Sequence, residues 1–491
     1  MKKLLPYVVV LMVAPLLAVF ESDLLYTAQE HNLFLNTPLF FEQQMVRAGG
    51  LLTWAGCYLT QFFYYPLLGA GVLGLLWAFL MWLLKHTFRL ADEWLVLVPV
   101  ACLLLTIVTL GYWVFFLKLP GALFDATLGA IVAVSLVWLY RTLPNRYFLR
   151  SLFMVLSTCI SYPLFGFYGL WATAMMAMIG WRSSWVALLS VIAVPLVCYY
   201  TLYHETNIVN IYWTALPVFT YQGTRCASYY LPYVFMVFSI GLMAFLPSVK
   251  KWISATVLTV TAVCVIVFWF KDDNFHRELS MQRSIEKQAW QQVLTTSTKA
   301  KGEPTRAMCM MQNLALFRLG IAGNDILSYP NGAARPKAPF TVHTVHTIGK
   351  MLYQQYGVLN YCYRWCMEDG VEFGWTVEQL KHMAQCSLLN GENVAAQRFL
   401  NLLKKTTFHR SWAKRYETMI QHPQLVARDP ELAPILPLLR NDNFLTADQS
   451  QLEMFLIEQL VNTPGATREQ QALANFTVRY YRHNRHQIVE K

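Results

Sequence analysis

The chain has 491 residues, of which 56% are hydrophobic, 15% aromatic and only 14% charged, with a mean hydropathy of +0.36 and a formal net charge of +11. Those proportions exclude a disordered chain, a single soluble enzyme and a secreted disulfide scaffold. The charge is unevenly spread: residues 1–271 carry 14 Lys/Arg and 8 Asp/Glu, whereas residues 272–491 carry 25 and 20, an ordinary density for a soluble domain. The sequence therefore predicts an all-α chain in two parts, a polytopic transmembrane domain at 1–271 and a soluble α-helical, repeat-like domain at 272–491. Both parts share the positive surplus and neither gathers it on one face, so nucleic acid is not an expected partner.

A hydrocarbon core of about 30 Å needs about 20 apolar residues per helix. About nine candidate spans result, at 4–20, 66–84, 94–112, 122–140, 150–164, 166–181, 185–203, 230–247 and 252–270. Basic sites at Lys2/Lys3, Lys85/Arg89, Arg141/Arg146/Arg150, Arg182 and Lys250/Lys251 orient them consistently if each lies in the cytoplasm. The N-terminus is then cytoplasmic and the C-terminal domain lies outside. The apolar stretch 151–181, interrupted by Pro163 and Gly166, reads as one tilted span or two short ones, and the charge parity favours two. Residues 1–20 also resemble a signal peptide, but Ala18-Val19-Phe20-Glu21 lacks a small-x-small cleavage site, so an uncleaved helix is expected.

Two outer loops are long. In the first, at 21–65, the aromatic stretch 42–64 reads as an interfacial helix lying on the bilayer, ended by Pro66. The second, at 204–229, carries His204, Glu205, Arg225 and many aromatic residues suited to headgroup level.

Beyond Lys271 the periodicity becomes amphipathic. Helices are expected near 276–299, 304–320, 347–368, 377–389, 394–405, 411–421, 429–440, 446–462 and 467–486, with an irregular loop at 320–339. Within Leu380–Lys404, Ala384, Leu388 and Leu389 face Ala395, Ala396, Phe399, Leu402 and Leu403 across Asn390-Gly391-Glu392-Asn393. This resembles a tetratricopeptide-type helical pair, which implies a concave face for an envelope protein or glycan; a helical lid on the membrane domain is the plain alternative. Arg479, Arg482 and Arg485 with Tyr480 and Tyr481 read as a solvated helix face.

Of ten cysteines, Cys57, Cys102, Cys159, Cys198, Cys226 and Cys264 read as small apolar residues in or beside membrane segments. Cys309, Cys362, Cys366 and Cys386 fall in the soluble part. Cys362 and Cys366, one helical turn apart, are poorly placed to bridge each other. A zinc site through them and His382 lacks the usual partner pair, and His343 and His346 read as alternating loop residues.

No P-loop, dinucleotide turn, nucleophile elbow or His-Glu-x-x-His sequence is present. Carboxylates at one membrane surface stand out instead: Glu21 and Asp23 after the first span, Asp125 at the outer end of the fourth, and Glu205 after the seventh. Carboxylates near a bilayer are costly unless solvated, paired or metal-bound. Asp23, Asp125 and Glu205 are candidate ligands for Mg²⁺ or Mn²⁺ neutralising a lipid pyrophosphate, while ordinary solvation or pairing explains each acid separately.

The acidic pair Glu21-Ser22-Asp23 after the first span, the long outer loop with its membrane-lying helix and the external C-terminal domain together resemble GT-C class lipid-linked-sugar glycosyltransferases. The resemblance implies transfer of a sugar from a polyprenyl-phosphate donor at the outer face of a bacterial inner membrane, with the soluble domain in the periplasm. Asp23 would act as base or metal ligand, Glu21 and Asp125 as co-ligands, and Arg47 or Arg225 would hold lipid phosphate. Separately, Gly49-Gly50-Leu51-Leu52-Thr53-Trp54, Gln61-Phe62-Phe63-Tyr64-Tyr65-Pro66-Leu67-Leu68-Gly69 and Phe408-His409-Arg410-Ser411-Trp412 resemble an uncharacterised multipass membrane family of Bacteroides-type bacteria. That likeness implies an envelope location and no activity. The competing reading is a non-enzymatic, membrane-anchored helical scaffold for envelope partners. A transporter is disfavoured by the lack of mid-span ionisable residues and of a visible repeat.

Overall fold

The computed structural model describes residues 4–180, 184–246, 248–300, 302–321, 332 and 334–439. The expected helices at 446–462 and 467–486, the Arg479–Arg485 face, Arg182 and Lys2/Lys3 lie outside the described residues. The chain divides into two compact units, Met1–Phe270 and Lys271–Lys491. The described residues are overwhelmingly helical; among them the one sheet is a two-residue hairpin, β1 (Thr220–Tyr221) antiparallel to β2 (Thr224–Arg225).

The first unit runs α1 (Leu5–Phe20), α2 (Ser22–Glu30), α3 (Pro38–Gln44), α4 (Gly50–Thr60), α5 (Pro66–Phe88), α6 (Leu97–Val108), α7 (Ala122–Thr142), α8 (Tyr147–Phe165), α9 (Phe167–Ile179), α10 (Ser184–Thr201), α11 (Leu231–Phe245) and α12 (Lys251–Phe268). Among the described residues, five helical segments are long and apolar enough to cross a membrane: Pro66–Phe88, Ala122–Thr142, Tyr147–Phe165, Ala227–Phe245 and Lys251–Phe268. The pair α1 and α2, bent by 77° at Glu21, makes a sixth if it is one broken span. The remaining expected spans coincide with shorter apolar helices, Leu97–Val108, Phe167–Ile179 and Leu188–Thr201. Sequence hydropathy counts apolar residues whatever their backbone does, and here 3₁₀ turns and loops consume part of each stretch. After α6, for instance, the chain tightens into a 3₁₀ segment at Gly111–Phe115.

The stretch 151–181 is two helices. They part at Gly166, where φ is +57° and ψ −130° and a Cβ would lie 2.6 Å from the Thr214 carbonyl oxygen. Pro163 sits inside α8 without ending it. The single helix expected over 42–64 is also absent: α3 ends at Gln44, the chain turns through Gly49, and α4 begins at Gly50.

Apolar helices in such a unit gain little from burying more apolar surface against each other, so a few hydrogen bonds fix their packing. Trp77 on α5 donates its indole N–H to Thr127 Oγ1 on α7 at 3.1 Å. The Thr158 hydroxyl of α8 lies 2.8 Å from that of Thr173 on α9 and 3.2 Å from Ser190 on α10. After α12, Phe270 donates its backbone N–H to the Val108 carbonyl at 2.9 Å.

The second unit comprises α13 (Asp273–Glu286), α14 (Trp290–Thr298), α15 (Arg306–Leu319), a π-helical turn at Val345–Gly349 leading into α16 (Lys350–Gln355), then α17 (Leu359–Phe373), α18 (Val377–Leu389), α19 (Asn393–Leu403) and α20 (Arg410–Gln421). Two expected helices are each divided. The segment 276–299 breaks at Gln288, held at φ +59°, and 347–368 breaks around Gly357. Residues 429–439, expected as helix, form turns and a 3₁₀ segment. The helix pair foreseen in Leu380–Lys404 is present as α18 and α19, which pack closely and bury Ala384, Ala396, Leu400 and Leu403. Thr376 and Gln379 close a reciprocal cap at the start of α18, satisfying otherwise orphaned N–H groups.

A buried polar chain joins α16, α18 and α20. His382 Nδ1 lies 2.7 Å from Gln354 Oε1, Gln354 donates to Gln385 Oε1 at 2.5 Å, and Gln385 donates to the Tyr416 hydroxyl at 2.7 Å. Tyr416 then donates to Glu431 at 2.6 Å, and Arg415 binds both Glu431 and Asp429.

Candidate functional site

The carboxylate most deeply withdrawn from water in the first unit is that of Asp125, in the first turn of α7, at 1% exposure. Its position follows from two glycines. Gly121 precedes α7 at φ +76°, where a Cβ would come within 2.6 Å of the Cys57 nitrogen. Across from it, a Cβ on Gly56 of α4 would lie 1.9 Å from Asp125 Oδ1. The start of α7 therefore meets α4 backbone to backbone, and the carboxylate fills the space that Gly56 leaves.

Neither oxygen of Asp125 has a hydrogen-bond partner among the described residues. Buried polar atoms are nearly always satisfied, and a buried carboxylate without donors carries a large desolvation cost. Arg47, half-buried between α3 and α4, is the cation that acts on it through space. Cys57, the next residue on α4, feels both charges. Its carbonyl accepts a 3.0 Å hydrogen bond from Asn32 Nδ2, while Asn32 Oδ1 has no donor. Around Cys57, then, acceptors outnumber donors.

The same stretch of α4 carries an aromatic platform. Trp54 and Tyr58 stack at 6.3 Å with an interplanar angle of 11°, and Phe34 meets both edge-on at 5.5 and 5.2 Å. Phe34, Phe40 and Cys57 form the small core beneath.

The other expected site residues lie elsewhere. Glu21 is buried at the α1–α2 elbow and accepts a 2.6 Å hydrogen bond from Trp269 Nε1. Asp23 is half-buried in the first turn of α2. Glu205 is exposed in the loop after α10, and Arg225 is exposed on β2 opposite Thr220. Among the described residues no three His, Cys, Asp or Glu side chains gather as a metal set. Asp23, Asp125 and Glu205 thus do not form the three-carboxylate site that their common membrane surface suggested; sharing a surface does not fix lateral position on it. Of the six residues, Asp125 and Arg47 are the two brought into each other's field.

The second unit holds a charged cluster that no sequence motif singles out. His346, expected in an extended loop, lies in the π-helical turn, a local widening frequent at functional sites. Its Nδ1 is 2.7 Å from Asp369 Oδ1, and its ring meets Trp365 and Phe373 edge-on at 5.7 and 5.6 Å. Lys350, 1% exposed, binds Asp369 Oδ2 at 2.5 Å, approaches Glu378 Oε2 at 3.8 Å and donates to the His346 carbonyl at 3.2 Å. Burial alone would push the Asp369 carboxyl up, yet Lys350 and His346 outweigh it and hold it below the usual carboxylate range. Burial likewise opposes the Lys350 ammonium, but Asp369 and Glu378 more than compensate and push it above the usual lysine value. The spacing of His346 and Lys350 at i, i+4 is the one sign in the sequence that they share a helical face.

No curated protein and no solved structure matches the chain at a significant level. The family of unknown function DUF6057 matches residues 1–468, almost the full length, and the chain belongs to that family.

Proposed function

We propose that this protein is a multipass membrane enzyme that transfers a sugar from a polyprenyl-phosphate donor, with Asp125 and Arg47 at its reacting centre. The observation that carries this reading is the Asp125 carboxylate, wholly buried, without a hydrogen-bond donor on either oxygen among the described residues and in the long-range field of the Arg47 guanidinium. An ionisable group in a membrane domain is expensive and marks a site by default. Acceptors that lack donors suit a ligand rich in hydroxyl groups. In this scheme Asp125 takes the proton of the acceptor hydroxyl as the sugar's bond to phosphate breaks, and Arg47 holds the departing lipid phosphate. The base role thus passes from Asp23 to Asp125, because geometry isolates the latter. The proposal includes a nine-pass topology with a cytoplasmic N-terminus in a bacterial inner membrane and a periplasmic second unit, as the basic sites suggest.

The test uses full-length protein in liposomes supplied with a polyprenyl-phosphate sugar and a panel of glycan acceptors. The wild type should consume donor, and Asp125→Asn should lose at least about 100-fold of that rate, the order of a general-base contribution. Undiminished turnover by folded Asp125→Asn would contradict the reading.

A second reading, a membrane-anchored scaffold, is favoured by one observation: α17 to α20 pack in sequence as successive neighbours, the arrangement of helical-repeat binding domains. Its signature would be binding of a protein or glycan partner by the full chain, with no donor consumption.

A further inference from the structure

Three thiols meet in the interior of the second unit. Cys362 and Cys366 stand one turn apart on α17, and Cys386 lies on the neighbouring α18; all are 0% exposed. Cys362 is within hydrogen-bonding contact of both Cys366 and Cys386. The helices bearing them are close neighbours joined by a three-residue turn around Gly374 and Trp375. Burial pushes the Cys362 and Cys366 thiols well above the usual range and outweighs the nearby Lys350 ammonium, so both stay protonated in the closed fold.

We propose that Cys386 and Cys362 form a disulfide clasping α17 to α18. The inference rests on the proposed placement of this unit in an oxidising compartment, where such bonds form and persist. Cys362 is the assigned partner because it touches Cys386, and because Cys362 and Cys366 on one regular helix cannot adopt bridging geometry without distortion.

The chemistry balances with a disulfide-bearing oxidant. One thiolate of the pair attacks the oxidant's S–S bond and forms a mixed disulfide. The second attacks that intermediate, the bond between Cys362 and Cys386 forms, and the oxidant leaves as a dithiol carrying two electrons and two protons. Burial of all three sulfurs sets the order of events: exchange precedes closure of α17 on α18, and the finished bond is sheltered from reductants. Cys366 remains the adjacent third thiol, able to shuffle the bond only if the helices open.

All ten cysteines of the chain lie among the described residues, so counting thiols tests the proposal directly. Full-length protein is extracted from its native membrane, denatured in an alkylating agent without reductant, then reduced and labelled with a second agent. The expected result is two cysteines that react only after reduction, mapped to the peptides of Cys362 and Cys386. Cys386→Ser and Cys362→Ser should each abolish the reducible pair, while Cys366→Ser should retain it. Ten thiols alkylated before reduction would overturn the proposal, as would a reducible pair surviving in Cys362→Ser. A donor-consumption assay on the same preparations separates this outcome from the enzymatic reading, since the clasp can be present without turnover and turnover without the clasp.

Discussion

Trp269 Nε1 donates a 2.6 Å hydrogen bond to Glu21 Oε1, joining the end of the last apolar helix to the elbow after the first across 248 positions of sequence. The Phe20 ring supports the same indole edge-on at 6.0 Å. Glu21 is therefore a latch. Its carboxylate accepts from the half-buried Trp269 indole.

Glu21→Ala should cost about 1.5–3 kcal/mol of stability, the worth of a hydrogen bond to a charged group. Glu21→Gln keeps a carbonyl acceptor for the indole and should cost less. Thermal unfolding in detergent, with Trp269→Phe closing a double-mutant cycle, checks this. Additive losses would show that the two side chains do not depend on each other.

Gly56→Ala should separate α4 from α7, because its Cβ would fall 1.9 Å from Asp125 Oδ1 and α4 has Gly121 close behind that contact. Overpacking of this kind costs about 1–3 kcal/mol. Gly71 on α5, with open space at its Cβ position, is the control, and Gly71→Ala should be neutral or slightly stabilising. Comparing melting temperatures of the two variants decides the point; equal values would mean the close approach is not rigid.

Lys350→Met should destabilise the second unit by about 3–5 kcal/mol, since it leaves Asp369 and Glu378 beside each other without their buried cation. Asp369→Asn should cost less, because Glu378 still faces the ammonium. Chemical denaturation of both variants in the full chain orders them, and the reverse ranking would contradict the assignment of Lys350 as the hub.

The same cluster gives a pH dependence of known sign. The Asp369 carboxyl is held below its unfolded value, so its contribution is present above about pH 3.9 and is lost as pH falls through the lower native value. Lys350 is raised, so its contribution is present below about pH 10.4 and is lost as pH climbs through the native value. Stability of the second unit should fall on both sides of a neutral plateau, with the acid limb shallower in Asp369→Asn. Unfolding midpoints from about pH 3 to about pH 8 test the acid limb, and an unchanged limb in that variant would remove Asp369 from the account.

Features governed by local rules are legible in the sequence. The α18–α19 pair is visible because Ala384, Leu388, Ala396, Phe399 and Leu403 repeat at helical spacing around a turn with Gly391, and the apolar character of α5, α7 and α12 is plain from hydropathy. Helix lengths are less legible. Gly166, Gln288 and Gly357 end helices through backbone geometry that tertiary contacts select, and composition is blind to that choice. The site is half legible. Asp125 is marked by its charge in apolar surroundings and Arg47 by its place in the outer loop, but no spacing links positions 47, 56 and 125. Their meeting depends on two glycines, one inside α4 and one before α7. His346 is singled out in the sequence but read in the wrong conformation, because an alternating Thr-Val-His pattern suggests extended chain, whereas residues 345–349 form a widened helical turn.

In the proposed function Arg47 and Asp125 form a site for a phosphate-bearing lipid. Native mass spectrometry of the full-length protein, released gently from its own membrane, is the decisive experiment. The wild type should carry a polyprenyl-phosphate lipid, Arg47→Gln should lose most of it, and Arg225→Gln, altered at the exposed hairpin, should retain it. A wild type without such lipid, or equal occupancy in wild type and Arg47→Gln, would contradict the claim.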